Sequence, residues 1–231
     1  MSTFSFAAIG QIHSPYKEKF AVPRQPGLVP AAKAWLELAP GYGGDSLRDL
    51  EAFSHLWLIF VFHEHLHRSW QPLVRPPRLG GNAKTGVFAS RSTFRPNPLG
   101  MSVVELVAID HQRQRLQLAG VDLVDGTPVL DIKPYLPYAD AIIDARAGYA
   151  PAPPIALPVH WQAGSLASLH KLGKGHLQDF ITQVLAQDPR PAYHHQERQY
   201  GVHLDSLNVL FRVAEQGVLV EDVQPFTPSE P

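Results

Sequence analysis

The chain has 231 residues, 45% of them hydrophobic, with a formal net charge of -1 and no cysteine. Its apolar content supports a buried core and argues against disorder, while the missing cysteines exclude disulfides, thiolate metal sites and cysteine nucleophiles. The longest apolar run, residues 56–62, is far short of the roughly 20 residues a membrane helix needs, and MSTFSFAAIG lacks a signal-peptide pattern, so no membrane span and a cytoplasmic location are expected.

Residues 5–13 open the chain as a β-prone run. SPYKEKFAVPRQPGLV, residues 14–29, follows with little periodicity and several prolines, and reads as the lip of a binding site or as an edge loop packed on the core. Residues 45–53 are the best helical candidate, with Asp45 as N-cap and Leu47 and Leu50 facing inward. Further β-prone runs cover residues 54–63, 85–89, 102–110 and 115–123, separated by turn signals that include Gly80-Gly81 and Asp125-Gly126. Residues 56–62 are apolar on both faces and predict a central strand, and alternation in 102–108 and 116–121 predicts strands with one buried face. A closed or nearly closed β-barrel fits this series best.

The run YAPAPPIALP, residues 149–158, carries four prolines and reads as a linker. It separates a body, residues 1–148, from a tail domain, residues 159–231. In the tail, Leu177, Phe180, Ile181, Val184 and Leu185 form one helical stripe over residues 177–186. Residues 199–204, 207–214 and 218–223 predict three strands, with Glu215-Gln216-Gly217 as a hairpin turn. The expected fold class is therefore mainly β, a β-barrel followed by a small α+β C-terminal domain.

Charge is distributed unevenly. From residue 68 to 95 stand Arg68, Arg75, Arg78, Lys84, Arg91 and Arg95 with no acid, whereas residues 151–231 hold five cations against eight acids. The basic block is a candidate anion site, although charge runs also occur as solvated loops. Within it, GVFASRSTFRPNPLGMS, residues 86–102, crowds Arg91, Ser92, Arg95 and Asn97 into a turn held by Pro96 and Pro98, and guanidinium forks there suit a carboxylate or phosphate. VDLVDGTPVLDIKPYLPYAD, residues 121–140, sets four acids around Asp125-Gly126, and carboxylates beside a turn suit ribose hydroxyls or an ammonium group. In HLWLIFVFHEHLH, residues 55–67, an extended strand would put His63, His65 and His67 on one face, the geometry of a metal-dependent hydrolase, but the spacing is not HExxH. No GxGxxG follows a strand, which argues against a doubly wound nucleotide fold.

SPYKEKFAVPRQPGLV, LEAFSHLWLIFVFH, RPPRLGGNAKTGVFASRSTFRPNPLGMS and DLVDGTPVLDIKPYLPY together resemble the tRNA N6-threonylcarbamoyladenosine methyltransferase family, the TrmO or TsaA-like proteins. In the tail, VLAQDPRPAY with Asp205, Asn208 and Val209 resembles the bacterial members that carry a C-terminal domain. The resemblance implies an S-adenosyl-L-methionine-binding β-barrel methyltransferase acting as a homodimer, with the cofactor near the subunit interface. It implies cofactor contacts from Pro23, Arg24, Gln25, His63, Glu64, Arg91, Met101, Asp122, Leu123, Val124 and Asp125. The implied substrate is threonylcarbamoyladenosine next to the anticodon of threonine tRNA. Its urea-like nitrogen needs alignment and loss of a proton, for which Asp125 or Tyr135 are the candidates, with Arg95, Asn97 and Lys133 gripping the threonyl carboxylate or a phosphate. The tail is expected to hold the anticodon arm through Arg190, Tyr193, His194, His195 and Arg198. Two other classes stay open: the metal-dependent hydrolase just named, and a non-catalytic RNA-binding protein.

Overall fold

Alternation of apolar and polar side chains organises the N-terminal half. The computed structural model describes residues 2–190 and 198–226. These divide into two units, one of residues 2–13, 34–119 and 126–153, the other of residues 14–33, 120–125, 154–190 and 198–226.

In the first unit the strands are β1 (Gly10–His13), β2 (Lys33–Leu38, which enters it at Ala34), β3 (His55–Val61), β4 (Leu73–Val74), β5 (Thr85–Gly86), β6 (Leu99–Asp110), β7 (Arg115–Ala119) and β8 (Pro128–Pro134). Six of them close into a barrel in the order β1-β2-β7-β6-β3-β8, which leaves no unpaired sheet edge. Leu56, Leu58 and Phe60 of β3 point inward with Ile12, Leu36, Leu116, Leu118 and Val129, all buried. Their outward neighbours Trp57, Ile59 and Val61 are half-buried, so a strand apolar on both faces has a filled side and a partly covered one. Gly100 makes room for this core, because a Cβ there would fall 2.3 Å from the Phe60 ring.

The strands at residues 54–63, 102–110 and 115–123 are present, trimmed or extended at their ends, and residues 85–89 shrink to β5 and a 3-10 turn at Val87–Ala89. β2 and β8 were not expected. Residues 45–53 do not form an α-helix: two 3-10 turns, Gly44–Leu47 and Leu50–Ala52, flank Asp49 at φ 66. Nine residues with Leu47 alone buried lack the length and the apolar stripe that stabilise a helix. Asp125-Gly126 is a turn but not a hairpin, since β7 and β8 are not neighbours in the barrel. The short helix α1 (Pro137–Asp140) follows β8, and the Asp140 carboxylate accepts from Leu136 N at 2.8 Å and Trp57 Nε1 at 3.0 Å.

The second unit contains β9 (Val159–Trp161), α2 (Ala163–Lys171), α3 (Gln178–Ala186), β10 (Gln199–Leu204), β11 (Leu207–Ala214) and β12 (Gly217–Pro225). Its sheet runs β10-β11-β12-β9, antiparallel except for β9 against β12. Phe180, Ile181, Val184 and Leu185 of α3 are buried, as their stripe requires. Residues 14–29, expected as a polar lip or edge loop, contribute a fully buried Tyr16 whose ring packs 5.6 Å from Phe180. α2 escaped prediction because only Leu166 and Leu169 mark an apolar stripe in AGSLASLHK.

Candidate functional site

At one end of the barrel three strand ends converge. β3 finishes at Val61, opposite Leu99 where β6 begins, and Phe60 pairs with Val129 near the start of β8. Phe62 N donates to Pro98 O at 2.8 Å, so residues 62–98 leave and return at the same place. His63, Glu64 and Asn97 therefore flank this end. Gly126 lies there too: Gln11 Nε2 donates to its carbonyl at 3.0 Å, and a Cβ on it would stand 3.4 Å from Gln11 Nε2 and 4.0 Å from His63 Nε2. With φ at 79, the position favours glycine, which leaves a cradle between an amide and an imidazole that a side chain would fill.

Arg95 braces the loop above. Its guanidinium donates to Val87 O at 3.2 Å and Ser90 O at 2.8 Å and stands 5.7 Å over the Phe88 ring. Arg91 and Asn97 are exposed. Met101 faces outward on β6, 57% exposed, paired across the ladder with Ile59.

Lys133 and Tyr135 lie at the other end. Lys133 pairs with Trp57, and Tyr135 N donates to His55 O at 2.9 Å, beside the opening residues of β3. The Tyr135 ring packs 6.0 Å from Trp57, and Lys133 Nζ meets Asp131 at 3.0 Å. β8 has seven residues, which at about 3.3 Å each places its two ends roughly 20 Å apart. Within one chain, then, Lys133 and Tyr135 are not brought to His63 and Asn97.

The second unit holds the rest of the implied cofactor contacts: Pro23, Arg24, Gln25, Asp122, Leu123, Val124 and Asp125. Segments 14–33 and 120–125 are laced by backbone bonds, Gly27 N to Gly120 O at 2.8 Å and Gly120 N to Ala32 O at 2.9 Å. Gly120, at φ 68, lets the chains approach so closely that a Cβ would sit 3.3 Å from Gly27 Cα. Asp125 is held on both oxygens, by Ser14 N at 2.8 Å and by Lys17 Nζ at 2.8 Å, while Ser14 Oγ donates to Leu123 O at 2.7 Å. Pro23 and Leu123 are buried, whereas Arg24 is exposed. Burial pushes the Tyr16 phenol far up, with the Asp122 charge adding to it. The reading of the sequence overlooked Gln11, Ser14, Lys17 and Gly126. The motif SPYKEK contains two of them, but nothing in its spacing says that Ser14 and Lys17 meet a carboxylate more than a hundred residues away.

The histidine cluster takes another form. Residues 63–65 make a 3-10 turn rather than a strand, so His63, His65 and His67 do not share a strand face, and His65 packs edge-on against Phe94 at 5.0 Å. Among the described residues no three His, Asp or Glu side chains are grouped to hold a metal. Arg190 is clamped by Asp188 at 2.7 and 2.8 Å, Arg198 lies 4.7 Å over the Tyr200 ring, and Tyr193, His194 and His195 lie outside the described residues.

The comparisons agree with one another. Residues 11–141 match the family model of the tRNA-methyltransferase O N-terminal domain, and residues 154–226 that of the TrmO C-terminal domain. The tRNA (adenine(37)-N6)-methyltransferase of Escherichia coli K12 is 54% identical over 97% of this chain and 100% of its own length. A Pyrococcus abyssi protein named "Probable S-adenosyl-L-methionine-binding protein" is 40% identical over 62% of this chain and 74% of its own length. The crystal structure of TrmO from Pseudomonas aeruginosa superposes with a TM-score of 0.82 at 44% identity, covering 97% of this chain and 98% of the other.

Proposed function

The chain belongs to the tRNA-methyltransferase O family, and on that premise we propose that its substrate is the threonylcarbamoyl form of adenosine 37 in threonine tRNA. At the coarser level it is an S-adenosylmethionine-dependent tRNA (adenine37-N6)-methyltransferase. The observation that carries this is 54% identity along the whole of the Escherichia coli enzyme.

The residues present fit the donor. In the first unit the glycine at 126 leaves the space between Gln11 and His63 unfilled by a side chain, and in the second unit Asp122 and Asp125 supply carboxylates suited to ribose hydroxyls or an ammonium group. When bound, S-adenosylmethionine supplies an electrophilic methyl on a sulfonium. We assign Pro23, Arg24, Gln25, His63, Glu64, Arg91, Met101 and Asp122 to Asp125 to its binding. The threonylcarbamoyl nitrogen is a poor nucleophile while its lone pair is delocalised, so the chain must orient it and receive its proton. Asp125 is the first candidate acceptor because Ser14 N and Lys17 hold it in one orientation, and Tyr135 is the second. Arg95, Asn97 and Lys133 are assigned to the substrate carboxylate or an adjacent phosphate.

Lys133 and Tyr135 can join this work through a second copy of the chain. An apolar strip on the outer face of β6, with Leu99 41% and Met101 57% exposed, supports a homodimer, since contiguous exposed apolar surface marks interaction sites. In chain order the proposed modules are the barrel domain 1–148, the linker 149–158 and the C-terminal domain 159–231, the last holding the anticodon arm. No helix among the described residues is long and apolar enough to cross a membrane. The proposed site of action, the cytoplasm, follows from tRNA as the substrate.

Calorimetry with S-adenosylmethionine and a filter assay for labelled methyl on tRNA test the activity together. Saturable donor binding with transfer to tRNA is expected. tRNA binding without donor binding would return the chain to a non-catalytic RNA-binding class, and donor binding without transfer would count against this tRNA as the substrate.

A further inference from the structure

Residues 62–98 form an arm whose two halves are tied from base to tip. Phe62 N donates to Pro98 O, Gln71 N to Phe94 O at 3.1 Å and Val87 N to Pro72 O at 3.0 Å, and the β4–β5 ladder closes the outer part. From residue 65 to 98 the arm carries six cations and no acid, and five of the six, Arg68, Arg75, Arg78, Lys84 and Arg91, are exposed. Such a surface suits a polyanion.

Phe88 stands 76% exposed on this cationic arm. Its position is built rather than incidental. The Arg95 guanidinium lies over the ring at 5.7 Å and is itself fixed by the carbonyls of Val87 and Ser90, while Ser90 Oγ donates to Val87 O at 2.8 Å. A guanidinium backing an exposed ring among arginines is the arrangement that accepts an unstacked nucleobase, because every base has a π-face and the flanking phosphates meet the cations.

We infer that Phe88 is a stacking platform for an unpaired base of the RNA substrate, with Arg68, Arg75, Arg78 and Lys84 of the arm on the neighbouring phosphates. The inference rests on tRNA being the substrate and adds the element that grips it. At Phe88 the methyl donor is the weaker occupant, since its sulfonium and ammonium outweigh its carboxylate, the one group that Arg91 would hold. An apolar protein partner is disfavoured by the same acid-free array of exposed arginines.

The test compares the wild-type protein with Phe88→Leu and Phe88→Trp. Three quantities are read: affinity for threonine tRNA at fixed salt, affinity for S-adenosylmethionine by calorimetry, and particle mass by light scattering. Phe88→Leu is expected to weaken tRNA binding about tenfold, within the span of about 5-fold to about 150-fold typical of losing one stacked base. Phe88→Trp restores it, and donor affinity and mass stay as in the wild type. Unchanged tRNA affinity in Phe88→Leu would overturn the inference, as would loss of donor binding or a change in mass, which would place Phe88 in the donor pocket or between copies of the chain. Because tRNA affinity is read without turnover, a failure here leaves methyl transfer by the wild type standing. Absence of transfer by the wild type would instead count against the enzymatic reading.

Discussion

Asp125 is the first of the two proposed proton acceptors, and its setting makes it the one to test. Both of its oxygens are occupied, one by Ser14 N and one by Lys17 Nζ, so its direction is set before any ligand arrives. Asp125→Asn keeps the shape and removes the charge, and kcat is expected to fall by about a hundredfold, the lower range for loss of a general base. Lys17→Met removes only the holding charge and should lower kcat less; the reverse ranking would make Lys17 rather than Asp125 the important group. Tyr16 tests burial instead. Its hydroxyl has no hydrogen-bond partner among the described residues, and its pKa is raised by burial first and by Asp122 second. A group raised on folding stabilises the fold fully below its unfolded value, near 10.0, and that stability drains away as pH climbs past it. Tyr16→Phe is therefore expected to be as stable as the wild type or up to about 1 kcal/mol more stable at neutral pH. Above about pH 10 its melting temperature should fall less steeply than that of the wild type. A large loss at neutral pH in thermal melts would mean that the hydroxyl has a partner.

Among the elements, β8 and the turn before it do most to shape the candidate site. Gly126→Ala meets a positive φ, although its Cβ would make only ordinary contact with Gln11 and His63, so a destabilisation of roughly 1–2 kcal/mol is expected, together with weaker donor binding by calorimetry. Wild-type donor affinity in a folded Gly126→Ala would remove the cradle from the site. Strands with a long apolar run or clear alternation were legible: 54–63, 102–110 and three of the four strands of the tail sheet all stand near their predicted places, while the three-residue β9 was missed. β8 was hidden because Pro128 and Pro134 bound it and Asp131 and Lys133 interrupt its propensity, and β2 because KAWLEL begins just after a proline-rich stretch. The closed barrel supplies what each lacks locally, a neighbour on both sides. The site was legible only as pieces. Asp125 and His63 stand in motifs, whereas Gln11 next to Gly126, and Ser14 and Lys17 next to Asp125, are products of topology.

At the scale of the whole molecule, residues 14–33 and 120–125 share a unit with residues 154–226, with Tyr16 against Phe180 and Asp205 N bonded to Pro15 O at 2.7 Å. Deleting residues 159–231 would strip the cover from Tyr16, so the truncated chain is expected to melt well below the full chain or to aggregate. Point changes such as Arg198→Ala are the cleaner probe of tRNA contact. The proposed homodimer predicts that Met101→Asp, placed on the outer apolar strip of β6, halves the particle mass in light scattering and lowers turnover. A wild-type mass with full activity would put the interface elsewhere. The central claim is tested most directly by nucleoside mass spectrometry after incubation with labelled S-adenosylmethionine and threonine tRNA, with and without its threonylcarbamoyl group. The account predicts label on threonylcarbamoyladenosine and none on tRNA lacking that group. Label on unmodified adenosine, on another nucleoside, or on neither tRNA would contradict it.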